Sequence, residues 1–206
     1  MKVFAKRAYL MSDWEHNVRL TICDDEIFEI ETSVQAGIDD ICVDTLLPAL
    51  SNLHSHSFQR AMAGMTEFRA KGRDSFWTWR DLMYRFLDHL TPDQIGAIAA
   101  LAFMEMQTSG YAAVGEFHYI HHAPGGQAYG DRAELSNQIM EAAKTTGIGL
   151  THLPVLYSYG DVGQHPLAGG QFRFGNTVDQ FGDLVDRCKS MAASHNPDTR
   201  VGIAPH

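Results

Sequence analysis

Residues 47–60 read LPALSNLHSHSFQR, an apolar run that ends in two histidines. Alternate side chains of a β-strand lie on the same face, so His54 and His56 are expected to project together. Imidazole nitrogen is a good zinc ligand, and one strand can hold two rings on one cation. The alternative is an accidental pair with one ring hydrogen-bonded and the other solvated. Because the pair ends a buried-looking strand before a polar turn, the pattern favours the ligand interpretation.

The composition excludes several classes of protein. Hydrophobic residues make up 45% of the 206 positions, enough for one sizeable core and a small second domain. A formal net charge of -9 argues against a nucleic-acid partner. No apolar run is long enough to span a membrane, and the start lacks the hydrophobic core of a signal peptide. Three scattered cysteines fit reduced thiols, so we expect a cytoplasmic protein with no membrane partner.

The first part of the chain has the pattern of short strands. Residues 18–22 alternate apolar and polar side chains, and the alternation resumes at residues 27–31 after a polar turn. This spacing predicts a β-hairpin. We interpret residues 1–47 as part of a small β-domain.

From residue 48 onwards, predicted strands alternate with predicted helices, which is typical of βα units and a parallel sheet. The strands are expected at residues 48–56, 112–119, 148–157 and 200–206. The helices are expected at residues 76–87, 92–109, 131–145 and 177–194. A closed (β/α)8 barrel needs eight strands in about 250 residues. The fold class is therefore α/β, and we expect the chain to be the first half of a longer protein.

Several segments carry a resemblance to a known family. Residues 47–60 are similar to the first barrel strand of the amidohydrolase superfamily. Four further segments resemble the formimidoylglutamate deiminases: residues 57–64, 75–84, 116–122 and 202–206. The block FWTWR at residues 76–80 is the most diagnostic part. The resemblance implies that residues 48–206 are the first four βα units of a TIM-type barrel of amidohydrolase type. It also implies that residues 1–47 are the N-terminal part of a small β-sandwich-like domain.

The resemblance implies a specific reaction. Enzymes of this family deaminate N-formimino-L-glutamate to N-formyl-L-glutamate and ammonia in histidine degradation, with one zinc ion. His54 and His56 would be the first two zinc ligands. The remaining ligands and the catalytic acid–base residues are expected beyond residue 206, so residues 1–206 alone are expected to be inactive. The expected partner is a small dicarboxylate amidine substrate, and a homo-oligomer is left open.

Four residues are expected by resemblance to bind this substrate: Gln59, Arg80, Tyr119 and His206. A dianionic substrate needs a local cation in an acidic protein, and Arg80 can supply a planar bidentate fork. Arg80 could instead be a surface arginine paired with Asp74 or Asp81. The other three could be ordinary rim or surface residues.

The remaining histidines and tryptophans receive structural interpretations. His118, His121 and His122 are expected behind the site rather than as ligands, and His152 is expected to be a hydrogen-bonded core histidine. Trp77 and Trp79 are expected in the core. Two alternatives remain open. The protein could deaminate a nucleobase-like substrate, or it could be a non-catalytic fragment that keeps a binding surface.

Overall fold

The computed structural model describes residues 1–67, 75–195 and 197–206. The chain divides into two compact units, Met1–Ala49 and Leu50–His206. No helix in the described ranges is both long enough and apolar enough to cross a membrane.

The first unit is a four-stranded sheet with the strand order β3-β2-β1-β4. Its strands are β1 (Lys2–Leu10), β2 (Asp13–Cys23), β3 (Glu26–Glu31) and β4 (Ile41–Leu46). The predicted hairpin is present, because β2 and β3 pair antiparallel across Asp24 and Asp25. Both turn residues have positive φ angles, 49° and 65°, as a tight two-residue hairpin turn requires. Four buried side chains form its small core: Ala5, Ala8, Val18 and Leu20.

The second unit is a parallel sheet covered by helices, which confirms the predicted α/β class. Its strands are β5 (Leu50–Ser55), β6 (Tyr111–His118), β7 (Gly149–Leu156), β8 (Thr199–Val201) and β9 (Ala204–Pro205). Its helices are α1 (Phe76–Leu87), α2 (Pro92–Thr108), α3 (Glu134–Thr146) and α4 (Val178–Ala192). The strands follow the order β5-β6-β7-β8, and β9 pairs with the far end of β7.

Local sequence explains where α2 begins and ends. The Thr91 hydroxyl accepts a hydrogen bond from the Gln94 amide at 3.4 Å, and the Gln94 side chain accepts one from the Thr91 amide at 3.0 Å. This reciprocal pair, with Pro92 in the first turn, satisfies amides that a helix start leaves unbonded. Gly110 follows the helix with a φ of +92°, a conformation that glycine adopts at little cost.

The last predicted strand is interrupted, and β7 supplies the reason. The carbonyls of His152 and Leu156 accept hydrogen bonds from the amides of Gly202 and His206 at 2.9 and 3.0 Å. Pro154 lies between them on the same edge of β7 and has no N–H group to donate. The pairing therefore breaks into β8 and β9.

The main core lies between the sheet and the helices. Val114 and Leu150 from the strands pack there with Phe103, Ile139 and Leu184 from the helices. In α1 the buried residues are Met83 and Leu87. One expectation for this helix is wrong: Trp77 is 56% exposed rather than part of the core. Trp79 is half-buried.

Candidate active site

The two histidines of the opening stretch lie at the carboxyl end of β5. His54 belongs to the strand, and His56 follows it, directly before a 3-10 turn over Ser57–Met62. Their ring centroids are 4.9 Å apart and the ring planes are nearly perpendicular. The His56 ring also packs edge-on against Phe117 of β6, with centroids 5.2 Å apart. The two rings are therefore neighbours beside the face of the sheet that carries Phe117.

The hydrogen bond of His56 defines its tautomer. Its Nδ1 lies 3.0 Å from the Phe117 carbonyl oxygen, which can only accept, so Nδ1 carries the proton. Burial lowers the pKa of His56, which keeps the ring neutral near pH 7 and leaves Nε2 free as a lone-pair donor. His54 is exposed. One bonded ring and one solvated ring also suit an accidental pair, so the ligand role stays a prediction.

The donor chemistry fits zinc, but the described residues supply an incomplete set. Neutral imidazole nitrogens are the donors that zinc takes from histidine. Within the described ranges, no group of three or more His, Cys, Asp or Glu side chains could hold a metal ion. Other ligands would have to complete a site at His54 and His56.

A cavity of about 410 Å³ opens beside His56. The four predicted substrate-binding residues all line it together with His56: Gln59, Arg80, Tyr119 and His206. They follow the carboxyl ends of β5, β6 and β9 or lie on α1, the end at which parallel barrels carry active sites. His54 does not line this cavity, although its ring touches that of His56. The structure therefore assembles residues that lie up to about 150 positions apart in sequence.

Gln59 and Tyr119 form a hydrogen-bonded pair on one wall. The Gln59 amide nitrogen donates to the Tyr119 hydroxyl at 3.2 Å. The Tyr119 hydroxyl in turn points at the Met83 sulfur, 3.5 Å away, which is a weak acceptor. Burial raises the pKa of Tyr119, so its hydroxyl stays protonated at physiological pH. A substrate oxygen could therefore replace the sulfur as acceptor at little cost.

Arg80 supplies a positive charge to the same cavity. Its guanidinium carbon lies 4.4 Å from the Trp77 ring centroid and 5.7 Å from that of Tyr84. Its Nε is buried and has no hydrogen-bond partner in the part of the chain that the structure describes. Asp81 does not pair with it, and Asp74 lies outside the described residues. A half-buried guanidinium with a free donor suits an anionic ligand.

Sequence reasoning missed an aromatic wall. Tyr157 stacks on His206, with ring centroids 4.7 Å apart and an interplanar angle of 21°. Gln171 donates to the Tyr157 hydroxyl at 3.2 Å, which fixes that ring. Phe174 packs edge-on against Tyr119 at 4.8 Å. The position of Tyr157, one residue after β7, was a usable signal, whereas Phe174 lies in a loop and gave none.

The other histidines lie away from this cavity. His118, His121 and His152 are buried, and the His118 ring lies 5.2 Å from His152 and 5.7 Å from His121. Burial lowers the pKa of His121 to about 4 and that of His152 to about 3. His152 is in the core as expected, but neither ring nitrogen has a hydrogen-bond partner among the described residues. That part of its interpretation is wrong.

Glu116 is a second group that sequence reasoning left without a role. It is 1% exposed and lies on β6, one residue before Phe117. Its Oε1 accepts hydrogen bonds from the Ser57 amide at 2.7 Å and the Ser57 hydroxyl at 2.8 Å. Burial raises the pKa of this carboxyl group. A single acidic residue inside a largely apolar strand was the available signal.

Two comparisons with known proteins match this chain to formimidoylglutamate deiminases. The family described as "Formimidoylglutamate deiminase HutF, N-terminal domain" matches residues 1–41. A formimidoylglutamate deiminase of Pseudomonas aeruginosa is 46% identical over 197 residues, which cover 94% of this chain and 44% of that protein. The chain matches the N-terminal portion of formimidoylglutamate deiminase. It spans less than half the length of this curated relative.

Solved structures agree on the fold. An amidohydrolase from Brucella melitensis superposes on the whole chain with a TM-score of 0.94 and 40% identity, over 46% of its own length. The atrazine chlorohydrolase TrzN from Arthrobacter aurescens, solved with zinc, superposes on 98% of the chain and 46% of its own, with a TM-score of 0.73 and 18% identity. The latter likeness concerns the fold alone. The architecture is thus an N-terminal sheet followed by a partial barrel of amidohydrolase type.

Proposed function

We propose that the complete gene product is a cytoplasmic, zinc-dependent hydrolase that converts N-formimino-L-glutamate to N-formyl-L-glutamate and ammonia in histidine degradation. This chain would supply the first part of its active site. One observation carries the proposal: Gln59, Arg80, Tyr119 and His206 line a single cavity beside His56. The 46% identity to a formimidoylglutamate deiminase supports the same reaction.

His54 and His56 would hold the zinc ion. Bound zinc would lower the pKa of a water molecule and so supply a hydroxide near neutral pH. The hydrogen bond from His56 Nδ1 to the Phe117 carbonyl keeps Nε2 available for a metal and orients the ring. The remaining ligands and the groups that carry protons to the departing ammonia would come from beyond residue 206.

Arg80 is the residue best suited to hold a substrate carboxylate. Its guanidinium fork can donate two parallel hydrogen bonds to a carboxylate. Its buried Nε has no acceptor among the described residues. The stacked rings of Trp77 and Tyr84 limit the directions in which the guanidinium can point. The charge of the ligand would thus be matched by one oriented cation.

Tyr119, Gln59 and His206 would complete the recognition of the substrate. The Tyr119 hydroxyl can exchange the Met83 sulfur for a substrate oxygen, while Gln59 continues to donate to it. Stacking on Tyr157 holds the His206 ring over the cavity. The apolar parts of the aromatic wall would shield a bound substrate from water, which would strengthen each of these polar contacts.

The aromatic wall also supports a second candidate, deamination of a flat nucleobase-like ring. Ammonia release from N-formimino-L-glutamate and from guanine, measured on the complete gene product, separates the two. We expect turnover of N-formimino-L-glutamate and not of guanine. This activity should be lost when a chelator removes zinc and should recover when zinc is returned. Turnover of guanine would favour the second candidate, and absence of both activities would favour a binding role.

A further inference from the structure

Glu116 lies directly behind the segment that carries the histidine pair. In the parallel ladder it is paired with Ser55 of β5 on one side and with His152 of β7 on the other. Its side chain lies on the face of the sheet opposite to that of Phe117, because the two residues are adjacent in a strand. With 1% of its surface exposed, the carboxyl group is enclosed by protein.

The carboxyl group holds the chain directly after His56. Its Oε1 accepts from the amide and the hydroxyl of Ser57, at 2.7 and 2.8 Å. Ser57 directly follows His56, so the carboxyl group fastens the segment at the point where the chain leaves this histidine.

This anchor lies where the sheet no longer fixes the chain. The pairing of β5 with β6 is irregular between Asn52 and Ser55, and it ends at Ser55. His56 has φ −132° and ψ 80°, between strand and turn. Its ring donates a hydrogen bond to the carbonyl of Phe117, which is the residue after Glu116. Two consecutive residues of β6 therefore hold His56, Glu116 through the following residue Ser57 and Phe117 through the ring.

We propose that Glu116 is a positioning residue that sets the orientation of His56 for zinc binding. This inference rests on the proposed function. A buried carboxyl group is costly, and its Oε2 has no partner in the described part of the chain. An apolar side chain could fill the space but could not bind the Ser57 amide and hydroxyl. Glu116 thus supplies orientation at His56.

The test is the zinc affinity of the complete gene product, measured with Zn²⁺ against a chromophoric chelator. We expect Glu116→Ala to weaken zinc binding about ten- to a hundredfold, the usual cost of removing a group that orients a metal ligand. Glu116→Gln keeps an acceptor oxygen for Ser57 and should stay close to wild type. Equal losses in both variants would overturn the positioning role, as would an alanine variant with wild-type affinity.

A control separates positioning from general loss of stability. Leu184→Ala removes a fully buried side chain of α4 in the main core and should destabilise the fold without changing zinc affinity. An equal loss of affinity in this variant would overturn the inference. If Glu116→Ala fails to fold, Ser57→Ala removes one of the same hydrogen bonds and should weaken zinc binding about two- to tenfold.

A second measurement needs no metal. The ¹⁵N shifts of the His56 ring in zinc-free protein report its tautomer. We expect the Nδ1–H form in wild type and in Glu116→Gln, and a mixture of tautomers in Glu116→Ala. An unchanged tautomer in the alanine variant would overturn the inference. If wild type binds no zinc, the proposed function fails, while this comparison still tests Glu116.

Discussion

The two faces of the parallel sheet in the second unit use the same residue type in opposite ways. On the helix-covered face, His152 is fully buried beside His118, and burial lowers its pKa to about 3. On the other face, His56 lines a cavity, and its Nδ1 proton is bound by a carbonyl so that Nε2 stays free. The face of the sheet on which each ring lies therefore separates the enclosed His152 from His56, which lies beside a cavity.

The largest effect should come from separating this half of the barrel from the rest. Residues 1–206 alone should have no deaminase activity and should bind zinc weakly, because they supply two predicted ligands and leave strand edges unpaired. Ammonia release and zinc content of the isolated chain measure this. We also expect aggregation or poorly protected amides on hydrogen exchange. A soluble, cooperatively unfolding monomer with turnover would contradict the architecture.

The second-largest effect should be a difference in activity and zinc content between substitutions on the two faces. In the complete gene product, His56→Ala should abolish activity and lower the zinc content. His152→Leu fills its space with an apolar side chain and removes two unbonded ring nitrogens, so it should retain both properties. Metal analysis and steady-state kinetics on both variants check the contrast. A zinc-replete, active His56→Ala variant would refute the ligand role.

Substitution of Arg80, which lines the cavity, should have an intermediate effect on the KM for the substrate. A hydrogen bond to a charged group contributes about 1.5–3 kcal/mol, so Arg80→Met should raise the KM for N-formimino-L-glutamate by about one to two decades. Arg80→Lys should also be impaired, since an ammonium keeps the charge but loses the fork. Arg187→Met is the matched control, because that exposed arginine pairs with Asp131 on the surface. Equal kinetics for Arg80→Met and wild type would return Arg80 to the surface interpretation.

The buried face should affect the stability of the fold rather than activity, as a dependence on pH. Burial lowers the pKa of His121 to about 4 and that of His152 to about 3, whereas an unfolded histidine titrates at about 6.5. Below about pH 6.5 the unfolded chain therefore binds protons that the folded chain does not, and stability falls as the pH drops.

Urea unfolding between pH 7.5 and 5 measures this dependence. Each of the two rings contributes up to about 1.4 kcal/mol per pH unit to the slope. His152→Leu should flatten the curve, because one of these rings is then absent. An identical slope in this variant and wild type would show that His152 does not titrate as its burial implies.

Local patterns predicted most of the fold. The Thr91–Gln94 cap and the strand alternation on either side of Asp24 and Asp25 are encoded by neighbouring residues, so α2 and the β2–β3 hairpin could be placed from sequence. The break between β8 and β9 could not, because it depends on Pro154 in another strand. Trp77 was misplaced because helical spacing cannot say which face meets the core.

The candidate site shows the same division. The family resemblance named Gln59, Arg80 and Tyr119 from their motifs, and the structure brings them to one cavity. Neither composition nor spacing could reveal that Phe174 packs on Tyr119, since a loop delivers it. The acidic residue Glu116 stood out in its strand, but its contact with Ser57 could not be predicted because it crosses between two segments of the chain.

A crystal structure of the complete gene product with zinc, with anomalous scattering measured at the zinc edge, tests the histidine pair as zinc ligands most directly. We expect one strong peak at about 2.0–2.1 Å from a ring nitrogen of His54 and of His56, beside the cavity that Arg80 lines. A peak among the buried histidines behind the sheet, or no peak at His54 and His56, would contradict this role.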